Sequence, residues 1–407
     1  MGTNERRVSS RWLTSTVFGI GVASLFSDLS HEAVTAVLPA LLASMGVAAG
    51  ALGTIEGVAD GLSSVAKLYG GWWTDRLNRR KPLCAFGYGT MAIATGVIAA
   101  ATTWPVVLLG RALAWISRGI RTPARKALLA EAVTPQTYGR AFGFERTMDT
   151  LGAVIAPLAA LALLRFGLSQ RSVLWLSVIP AFLAVGAILF LVRETSDRTP
   201  SPHPFLASIR GLPKRFTRFL YGVGLFGAGD FAHSLMILYA VGSLTPKFGA
   251  ARAVTISVGL YALHNIVYAG ISYPAGALAD RFSKRALLAL GYTTGAATAL
   301  VLALNISSIP ALVVVFVLGG AYVGVEETLE DSIAAELLPE AVRGMGFGTM
   351  ALVNGVGDFV SSICVGWLWA AFGARVGFGF AVLLMTIGIV MVWTMRYPAQ
   401  EKSTTSS

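Results

Sequence analysis

A run of cations inside an apolar segment is the strongest chemical signal in this sequence. Residues 118–126 read RGIRTPARK, so four cations lie in a segment that is otherwise apolar enough to cross a membrane. Charge at such depth is costly and usually serves a solute, an ion or a gate. At 100° per residue, Arg111, Arg118, Arg121 and Arg125 fall within one stripe of about 80° on a helix, which can face a single cavity. We therefore predict that Arg111, Arg118 and Arg121 bind a solute or act in gating there.

A second charged segment, residues 325–331, lies 205 positions further along and carries acids where the first carries cations. The register sets Glu326 against Arg121, Glu330 against Arg125 and Asp331 against Lys126. We predict that these acids also bind solute or act in gating, and that Arg121 and Glu326 close an inner gate. The alternative is that the charges pair only to hold the two segments together. We expect Arg125 and Lys126 to reach the interface with water.

Two acids and a histidine lie in the middle of the first apolar segment. Asp28 and Glu32 are one helical turn apart, and His31 lies beside them. A carboxyl group in a cavity of low dielectric can change its charge during a transport cycle. We therefore predict that Asp28 or Glu32 carries a coupling proton, with His31 as a relay. Buried pairing with a cation is the alternative. The pair His31-Glu32 begins a zinc-protease pattern, but Thr35 stands where the second histidine is required, which excludes that class.

The spacing Asp-x-x-His occurs twice, at Asp28 with His31 and at Asp230 with His233, and His264 lies in the next apolar segment. We treat Asp230, His233 and His264 as candidates for solute binding. Carboxylate and imidazole together also suit a divalent metal ion, so a divalent metal or metal chelate is an alternative cargo. A membrane histidine also bridges helices by hydrogen bonds alone, and that alternative stays open.

The composition is that of a membrane protein. Of the 407 residues, 55% are hydrophobic and 13% are charged, and the mean hydropathy is +0.67. A net charge of +11 would suggest nucleic-acid binding in a soluble protein, but here the cations follow the positive-inside rule, so no nucleic-acid partner is predicted. Hydropathy, together with the turn-forming and charged residues between apolar segments, predicts twelve spans. They are numbered in order: 12–43, 51–74, 82–103, 106–132, 141–166, 172–193, 217–245, 253–279, 286–305, 310–337, 344–371 and 376–396.

The distribution of cations predicts the orientation. Most Lys and Arg residues outside the spans lie in the first tail and in the loops that follow even-numbered spans. The positive-inside rule then places both termini in the cytoplasm. The Arg6-Arg7 start lacks a small-residue cleavage site and its apolar stretch continues as span 1, so we expect span 1 to be retained. The sequence predicts a multi-pass protein of the inner, or plasma, membrane.

A ten-residue loop occurs twice. Residues 71–80 read GWWTDRLNRR, and residues 276–285 read GALADRFSKR, 205 positions later. The loop resembles the signature of the major facilitator superfamily, G-x-x-x-D-R-x-G-R-[KR], which has a weaker copy in the second half. Asn78 and Ser283 replace the second glycine, and asparagine tolerates left-handed geometry. The resemblance implies a conformational role for the matched residues Gly71, Asp75, Arg76, Arg79, Arg80, Gly276, Asp280 and Arg281.

The resemblance also implies a fold. It is an all-α membrane protein with twelve transmembrane helices in two pseudo-symmetric six-helix bundles, in which spans 1, 4, 7 and 10 line a central cavity. The predicted division is a first bundle at 1–193, a cytoplasmic linker at 194–216, a second bundle at 217–396 and a cytoplasmic tail at 397–407.

The acids of the repeated loop have predicted partners. Asp75 should face the N-terminus of span 11 near Gly344, because exposed amides and the helix dipole favour an anion there. Asp280 should face the N-terminus of span 5 in the same way. We expect these contacts to stabilise the state that is open to the outside.

Span 5 carries Gly143, Gly152 and Pro157 at the spacing of a pattern that the superfamily associates with antiporters, with alanine in place of some glycines. The match favours export, although small residues are common in any packed membrane helix. In span 4, Arg111 stands where the superfamily commonly has an arginine, whereas the residues that follow depart from its pattern.

These observations predict a proton-coupled secondary active transporter that exports a small anionic or zwitterionic organic solute by alternating access. No cofactor is expected, and the partners are the solute, protons and the lipid bilayer around a monomer. A non-transporting membrane scaffold or sensor is the alternative from another class, but it would have no use for repeated cavity charges. An enzyme is not predicted, because no nucleophile and base pairing or phosphate-binding glycine loop is visible.

Overall fold

The structure is a computed structural model that describes residues 12–45, 49–194, 200–201 and 203–394, so the predicted tail lies outside the described residues. The described chain forms fourteen α-helices, joined by short loops and two single turns of 3₁₀-helix. The helices are α1 Ser15–Ser44, α2 Ala49–Arg76, α3 Lys81–Ala100, α4 Trp104–Glu131, α5 Tyr138–Arg165, α6 Gln170–Leu191, α7 Phe205–Arg210, α8 Lys214–Gly227, α9 His233–Phe248, α10 Ala250–Ala279, α11 Lys284–Ala303, α12 Ile309–Leu337, α13 Arg343–Phe372 and α14 Ala374–Thr394.

The helices form two bundles that face each other. In the first bundle, α1 packs against α5 and α6, and α3 packs against α4 and α6. In the second bundle, α10 packs against α12, and α11 packs against α12 and α14. The bundles meet mainly where α5 contacts α10 and where α2 contacts α13. The predicted all-helical architecture of two bundles is confirmed.

Eight helical segments of the described residues are long and apolar enough to cross a membrane: Lys81–Ala100, Pro135–Arg165, Gln170–Leu191, Arg252–Ala279, Lys284–Ala303, Ile309–Leu337, Glu340–Phe372 and Ala374–Thr394. The sequence prediction adds spans 1, 2, 4 and 7 to these. Spans 1, 2 and 4 carry charged residues that lower their hydropathy, and span 7 is divided between two shorter helices. The less apolar spans therefore include three of the four that were predicted to line the cavity, namely spans 1, 4 and 7.

The seventh span is not one helix, so the prediction of a continuous helix at 217–245 is wrong. Residues 228–232 separate α8 from α9. Gly227 ends α8 and Gly229 lies within the break, and glycine is a poor helix former. A Cβ atom on Gly229 would lie 2.7 Å from the carbonyl oxygen of Ala381, so a larger residue would not fit.

A short helix, α7, forms within the predicted linker. Phe205 stacks on Tyr69 of α2 with ring centroids 4.8 Å apart. The indole of Trp72 donates a hydrogen bond to the carbonyl of His203 at 3.3 Å. These contacts hold α7 against the end of α2.

One end of the molecule is closed. We call it the basic-loop end, because it carries the loops 77–80 and 280–283. A Cβ atom on Gly344 of α13 would lie 2.5 Å from the carbonyl oxygen of Gly71 of α2. A Cβ atom on Gly143 of α5 would lie 2.6 Å from a carbonyl oxygen of α10. Glycine at these positions therefore allows the two bundles to meet.

Candidate functional site

A polar cavity of about 270 Å³ lies between the two bundles. The first-bundle wall contributes Lys67, Arg118, Arg125, Lys126 and Arg146, together with the acid Asp149. The second-bundle wall contributes Asp230, Glu326, Glu327 and Asp358. The facing walls thus carry mainly opposite charges, which suits a solute with charged groups.

Arg118 is the predicted cation that reaches the cavity. Its guanidinium lies 2.9 Å from the carboxylate of Asp28, and its side chain is 23% exposed against 6% for Asp28. The ion pair with Asp28 therefore fixes the position of the Arg118 guanidinium at the cavity wall. Trp115 lies beside this pair, with its ring centroid 5.8 Å from the guanidinium of Arg118. The ring of His31 packs edge-on against Trp115 with centroids 4.9 Å apart, and Glu32 is half-buried one turn beyond Asp28.

Arg121 does not line the cavity, so the predicted gate between Arg121 and Glu326 is wrong. The guanidinium of Arg121 donates to Ser27 Oγ at 2.7 Å and lies 3.8 Å from the ring centroid of Tyr88. Around the helix, Arg121 is displaced from Arg118 by about 60°. That rotation turns its side chain toward α1 and α3 and away from the second bundle.

Two further cations of α4 are buried by neighbours in the first bundle. Arg111 donates to Thr35 Oγ1 at 3.3 Å. Arg125 pairs with Glu145 at 2.8 Å and with Asp149 at 3.5 Å, and the whole residue is 6% exposed. The expectation that Arg125 reaches the interface with water is wrong, because acids of α5 neutralise it inside the protein.

Replacing Arg125 with glutamine is expected to destabilise the protein. Glu145 and Asp149 would lose a buried cation, and removing one partner of a buried ion pair costs about 3–5 kcal/mol. The unfolding temperature in detergent measures the loss of stability, and unfolding is monitored by the reaction of the buried Cys84 thiol with a fluorescent dye. Arg165→Gln is the control, since Arg165 is exposed at the end of α5. Equal unfolding temperatures for both variants would contradict a stabilising role for Arg125.

Ion pairs cross between the bundles at the floor of the cavity. Lys126 Nζ lies 2.6 Å from Asp331, so one of the three mirrored pairs is formed. Lys126 is largely buried by this contact, contrary to the expectation that it reaches water. Arg146 lies 2.9 Å from Glu327 and 3.7 Å from Asp331. Sequence reasoning missed the pair of Arg146 and Glu327, because the two residues do not occupy equivalent positions of the repeat.

Asp75 makes the predicted contact with the N-terminus of α13. Its carboxylate accepts hydrogen bonds from the amides of Gly344 at 2.8 Å and Met345 at 2.7 Å. Arg80 lies 3.0 Å from Asp75 and also pairs with Glu131. Burial lowers the pKa of Arg80 to about 10 while the charge of Asp75 opposes the shift, so Arg80 stays charged at neutral pH.

Asp280 repeats this arrangement at α5, as predicted. It accepts hydrogen bonds from the amides of Gly139 at 2.8 Å and Arg140 at 3.1 Å, and from Nε of Arg140 at 2.8 Å. The backbones of Gly139 and Gly276 touch beside this contact. The other cations assigned to the repeated loop are exposed at this end: Arg76, Arg79 and Arg281.

Glu330, Glu326 and Asp230 of the second bundle contact polar groups or other acids, whereas Glu327 pairs with Arg146. Glu330 accepts hydrogen bonds from the hydroxyl of Tyr292 and from the amide of Asn354, the latter at 2.8 Å. Glu326 is 8% exposed, and its charged neighbours are acids, Asp230 among them. Within the described residues, neither Glu326 nor Asp230 has a cation at ion-pairing distance. These carboxyl groups are therefore free to interact with a solute or a proton.

The histidines of the second bundle contact each other. The rings of His233 and His264 have centroids 4.6 Å apart, and Nδ1 of His264 lies 3.3 Å from Asn265 Oδ1. Neither ring lines the central cavity. No group of three or more His, Cys, Asp or Glu side chains in the described residues is arranged to hold a metal ion. The contacts of these histidines fit the alternative in which they bridge α9 and α10.

The glycines of the antiporter-like pattern lie at close helix contacts. Gly143 packs against α10, and a Cβ atom on Gly152 would lie 2.5 Å from the carbonyl oxygen of Leu25 in α1. Pro157 lies inside α5. Helix packing accounts for the two glycines, and a role in antiport stays a prediction.

Comparison with known proteins identifies a family. The model of the Major Facilitator Superfamily matches residues 20–250 and 219–407. An uncharacterized MFS-type transporter of Methanocaldococcus jannaschii is 27% identical over 362 residues, which cover 89% of this chain and 90% of that protein. The multidrug resistance protein MdtH of Cronobacter sakazakii is 25% identical over 347 residues, which cover 81% of this chain and 80% of that protein.

Solved structures share the fold. A bacterial homologue of the iron transporter ferroportin, in an outward-facing state, superposes with a TM-score of 0.75 at 14% sequence identity. The superposition covers 94% of this chain and 100% of that one. At this identity, the likeness concerns the arrangement of helices and not the cargo.

Proposed function

Because the chain belongs to the major facilitator superfamily, we propose that this multi-pass secondary transporter exports a small anionic or zwitterionic organic solute in exchange for protons. The separation of charge across the cavity carries the proposal. Cations line the first-bundle wall, and carboxylates line the second-bundle wall. A solute with an anionic group, or with groups of both signs, meets complementary charge there.

Arg118 is the proposed anchor for the anionic group of the solute. A guanidinium binds a carboxylate through two parallel hydrogen bonds. Arg118 is exposed to the cavity while Asp28 fixes its position, and Lys67 adds a second positive charge to the same wall. On the opposite wall, Asp230 and Asp358 face the cavity, where they can accept the ammonium group of a zwitterion.

The predicted proton carriers on α1 are part of the proposal. Asp28 is paired with Arg118, so a proton on Asp28 would release Arg118 toward the cavity. Glu32 and His31 lie near this pair on the same helix and would take part in a relay. Exchange also requires competition between proton and solute. The acids of the second-bundle wall supply it, because a proton and an ammonium group would share them.

The orientation and the moving parts follow from the same proposal. We place the basic-loop end in the cytoplasm of the plasma membrane, with both termini on that side, as the positive-inside rule predicts. The closed basic-loop end supports an outward-facing state under this orientation. The bundles at 1–193 and 217–396 would rock about the linker at 194–216 within a monomer.

Two observations support export rather than uptake. Gly143, Gly152 and Pro157 of α5 follow the pattern that resembles antiporters. A relative that aligns with most of the chain is named a multidrug resistance protein. That name describes the relative, and for this chain it supports the direction of transport alone.

Replacing Arg118 with glutamine is expected to lower transport tenfold or more, because a hydrogen bond to a charged group contributes about 1.5–3 kcal/mol. Purified protein in liposomes filled with the pH dye pyranine would receive a panel of aromatic carboxylates and amino acids under an imposed pH gradient. Solute-dependent proton movement is the readout. Arg165→Gln removes an exposed arginine from the same bundle and should transport like the unaltered protein.

Two outcomes would contradict the proposal. Proton movement at an unaltered rate in Arg118→Gln would show that Arg118 is not the anchor. Solute movement that does not respond to the pH gradient would show that transport is not coupled to protons, whichever residue holds the solute.

A further inference from the structure

The break between α8 and α9 places a carboxyl group at a joint between two helices. α8 ends at Gly227, α9 begins at His233, and Asp230 lies on the non-helical segment between them. The amide of Ala232 donates a hydrogen bond to Ser362 Oγ of α13 at 2.9 Å. Because no continuous helical ladder crosses this segment, a force on Asp230 can change the angle between the two helices.

Glu326 of α12 and Asp230 at this joint line the same central cavity. The charged neighbours of its carboxyl group are Asp230, Glu330 and Asp358, all of which are acids. Across the described part of the chain, no Lys or Arg pairs with Glu326 or Asp230. Two ionised carboxylates repel strongly where the dielectric is low, so one proton shared by the pair is the favoured arrangement.

The hydroxyl of Tyr322 lies beside both carboxyl groups. Tyr322 is 4% exposed, and its hydroxyl faces Asp230 and Glu326 without a hydrogen bond of regular geometry to either. A buried hydroxyl without a well-formed hydrogen bond is unfavourable. A change in the protonation of either carboxyl group would therefore change the hydrogen bonding of Tyr322.

We propose that Asp230, Tyr322 and Glu326 form a proton-binding site that sets the angle between α8 and α9. This inference rests on the proposed function, because it names the acids of the second-bundle wall at which proton and solute compete. With one proton shared, the two carboxyl groups stay together and the joint keeps the bend seen here. Loss of that proton leaves two carboxylates, and their repulsion moves α9 away from α12.

α8 is the fixed side of the joint. The ring of Phe226 stacks on Tyr292 of α11 with centroids 3.6 Å apart. The backbone of Phe226 also lies against Gly388 of α14, where a Cβ atom would be 2.7 Å away. α9 packs mainly on α10, and its Tyr239 contacts Trp369 of α13 and Phe378 of α14. A change of charge at the joint would therefore move α9, at the end of the molecule opposite the basic-loop end.

Groups from every packed element face this site. They are His233 of α9, Tyr292 and Thr298 of α11, Glu327 and Glu330 of α12, Asn354 and Asp358 of α13 and, across the cavity, Lys67 of α2 and Lys126 of α4. The two lysines belong to the opposite bundle. Their distance from the site would change as the cavity opens, so the affinity for the proton would change between the two states.

Spin labels at Tyr221 on α8 and Leu238 on α9 would report the angle between the two helices. Both side chains are exposed on the outer surface, and the labels are introduced as cysteines in a background without Cys84 and Cys364. Double electron–electron resonance in lipid nanodiscs gives the distance between the labels from acid to alkaline pH. We expect this distance to change with pH. Glu326→Gln, which is always neutral, should keep the acid-pH distance throughout.

Two further variants sharpen the test. Asp230→Asn should lose the pH response in the same way, and it serves alone if Glu326→Gln fails to fold. Glu336→Gln removes an acid near the other end of α12 and should keep the response. Pyranine-filled liposomes report proton movement in parallel. No proton-coupled transport by the unaltered protein would overturn the proposed function. Coupled transport, with an unaltered pH response in Glu326→Gln and Asp230→Asn, would overturn the proton site alone.

Discussion

Asparagine in place of Asp75 is expected to open the basic-loop end. The carboxylate of Asp75 accepts hydrogen bonds from the amides of Gly344 and Met345 and pairs with buried Arg80. Its contacts with the two amides exist only while the bundles are together, whereas the amide side chain of asparagine has no charge and one acceptor. A hydrogen bond to a charged group contributes about 1.5–3 kcal/mol, so weakening these closure-dependent bonds would lower the closed-to-open ratio on the order of 10- to 100-fold. Asp280→Asn should act in the same direction.

The reaction of a buried cysteine with N-ethylmaleimide measures this opening. Ser272→Cys is a suitable probe, because Ser272 is fully buried where α5 meets α10, away from Asp75. Cys84 and Cys364 are removed from the background. Labelling should become much faster in Asp75→Asn and stay slow in Glu336→Gln, which removes another acid at the same end. Slow labelling of a correctly folded Asp75→Asn variant would show that Asp75 does not hold the gate.

The contact of Asp75 could be predicted from the sequence because it depends on the backbone. The first amides of any helix attract an anion, whichever side chains follow. The repeat then supplied the second contact, since Asp280 occupies the position equivalent to Asp75. Interactions of this kind follow from position along the chain, and both were found at the predicted helix ends.

The partners of Arg121 could not be predicted in that way. Helical periodicity placed Arg121 and Arg118 within one broad stripe, but the cavity occupies a narrower sector of the helix. The intervening 60° or so decides whether a cation faces the second bundle or contacts Ser27 and Tyr88. Which neighbours fill that sector depends on how α1, α3 and α4 pack, and a single sequence does not record it.

The break in span 7 illustrates a further limit. The glycines near Asp230 lower helix propensity, but glycine is common in membrane helices and marks few breaks on its own. Here the backbone of α14 approaches Gly229 so closely that packing also selects glycine. The sequence identified Asp230 as a candidate for solute binding, and only the structure places it at a joint.

Reversing one charge of the pair Lys126 and Asp331 is expected to abolish transport. Lys126→Asp would set a second carboxylate beside Asp331, in a buried place where the two groups now lie 2.6 Å apart as an ion pair. Like charges at this distance oppose closure of the cavity floor. We expect a loss of 100-fold or more in solute-dependent proton movement, because alternating access requires both the closed and the open floor. Ser272→Cys should also react quickly in this variant.

Combining Lys126→Asp with Asp331→Lys should restore transport to within about tenfold of the unaltered protein, since neighbouring charges couple by about 0.5–3 kcal/mol. Restoration should be partial, because Arg146 lies 3.7 Å from Asp331 and would face the new lysine. Lys126→Asp with Glu336→Lys is the matched control. It makes the same total change of charge on α4 and α12, but Glu336 pairs with Lys284 rather than with Lys126. Equal recovery in both double variants would mean that net charge, and not contact across the floor, controls the gate.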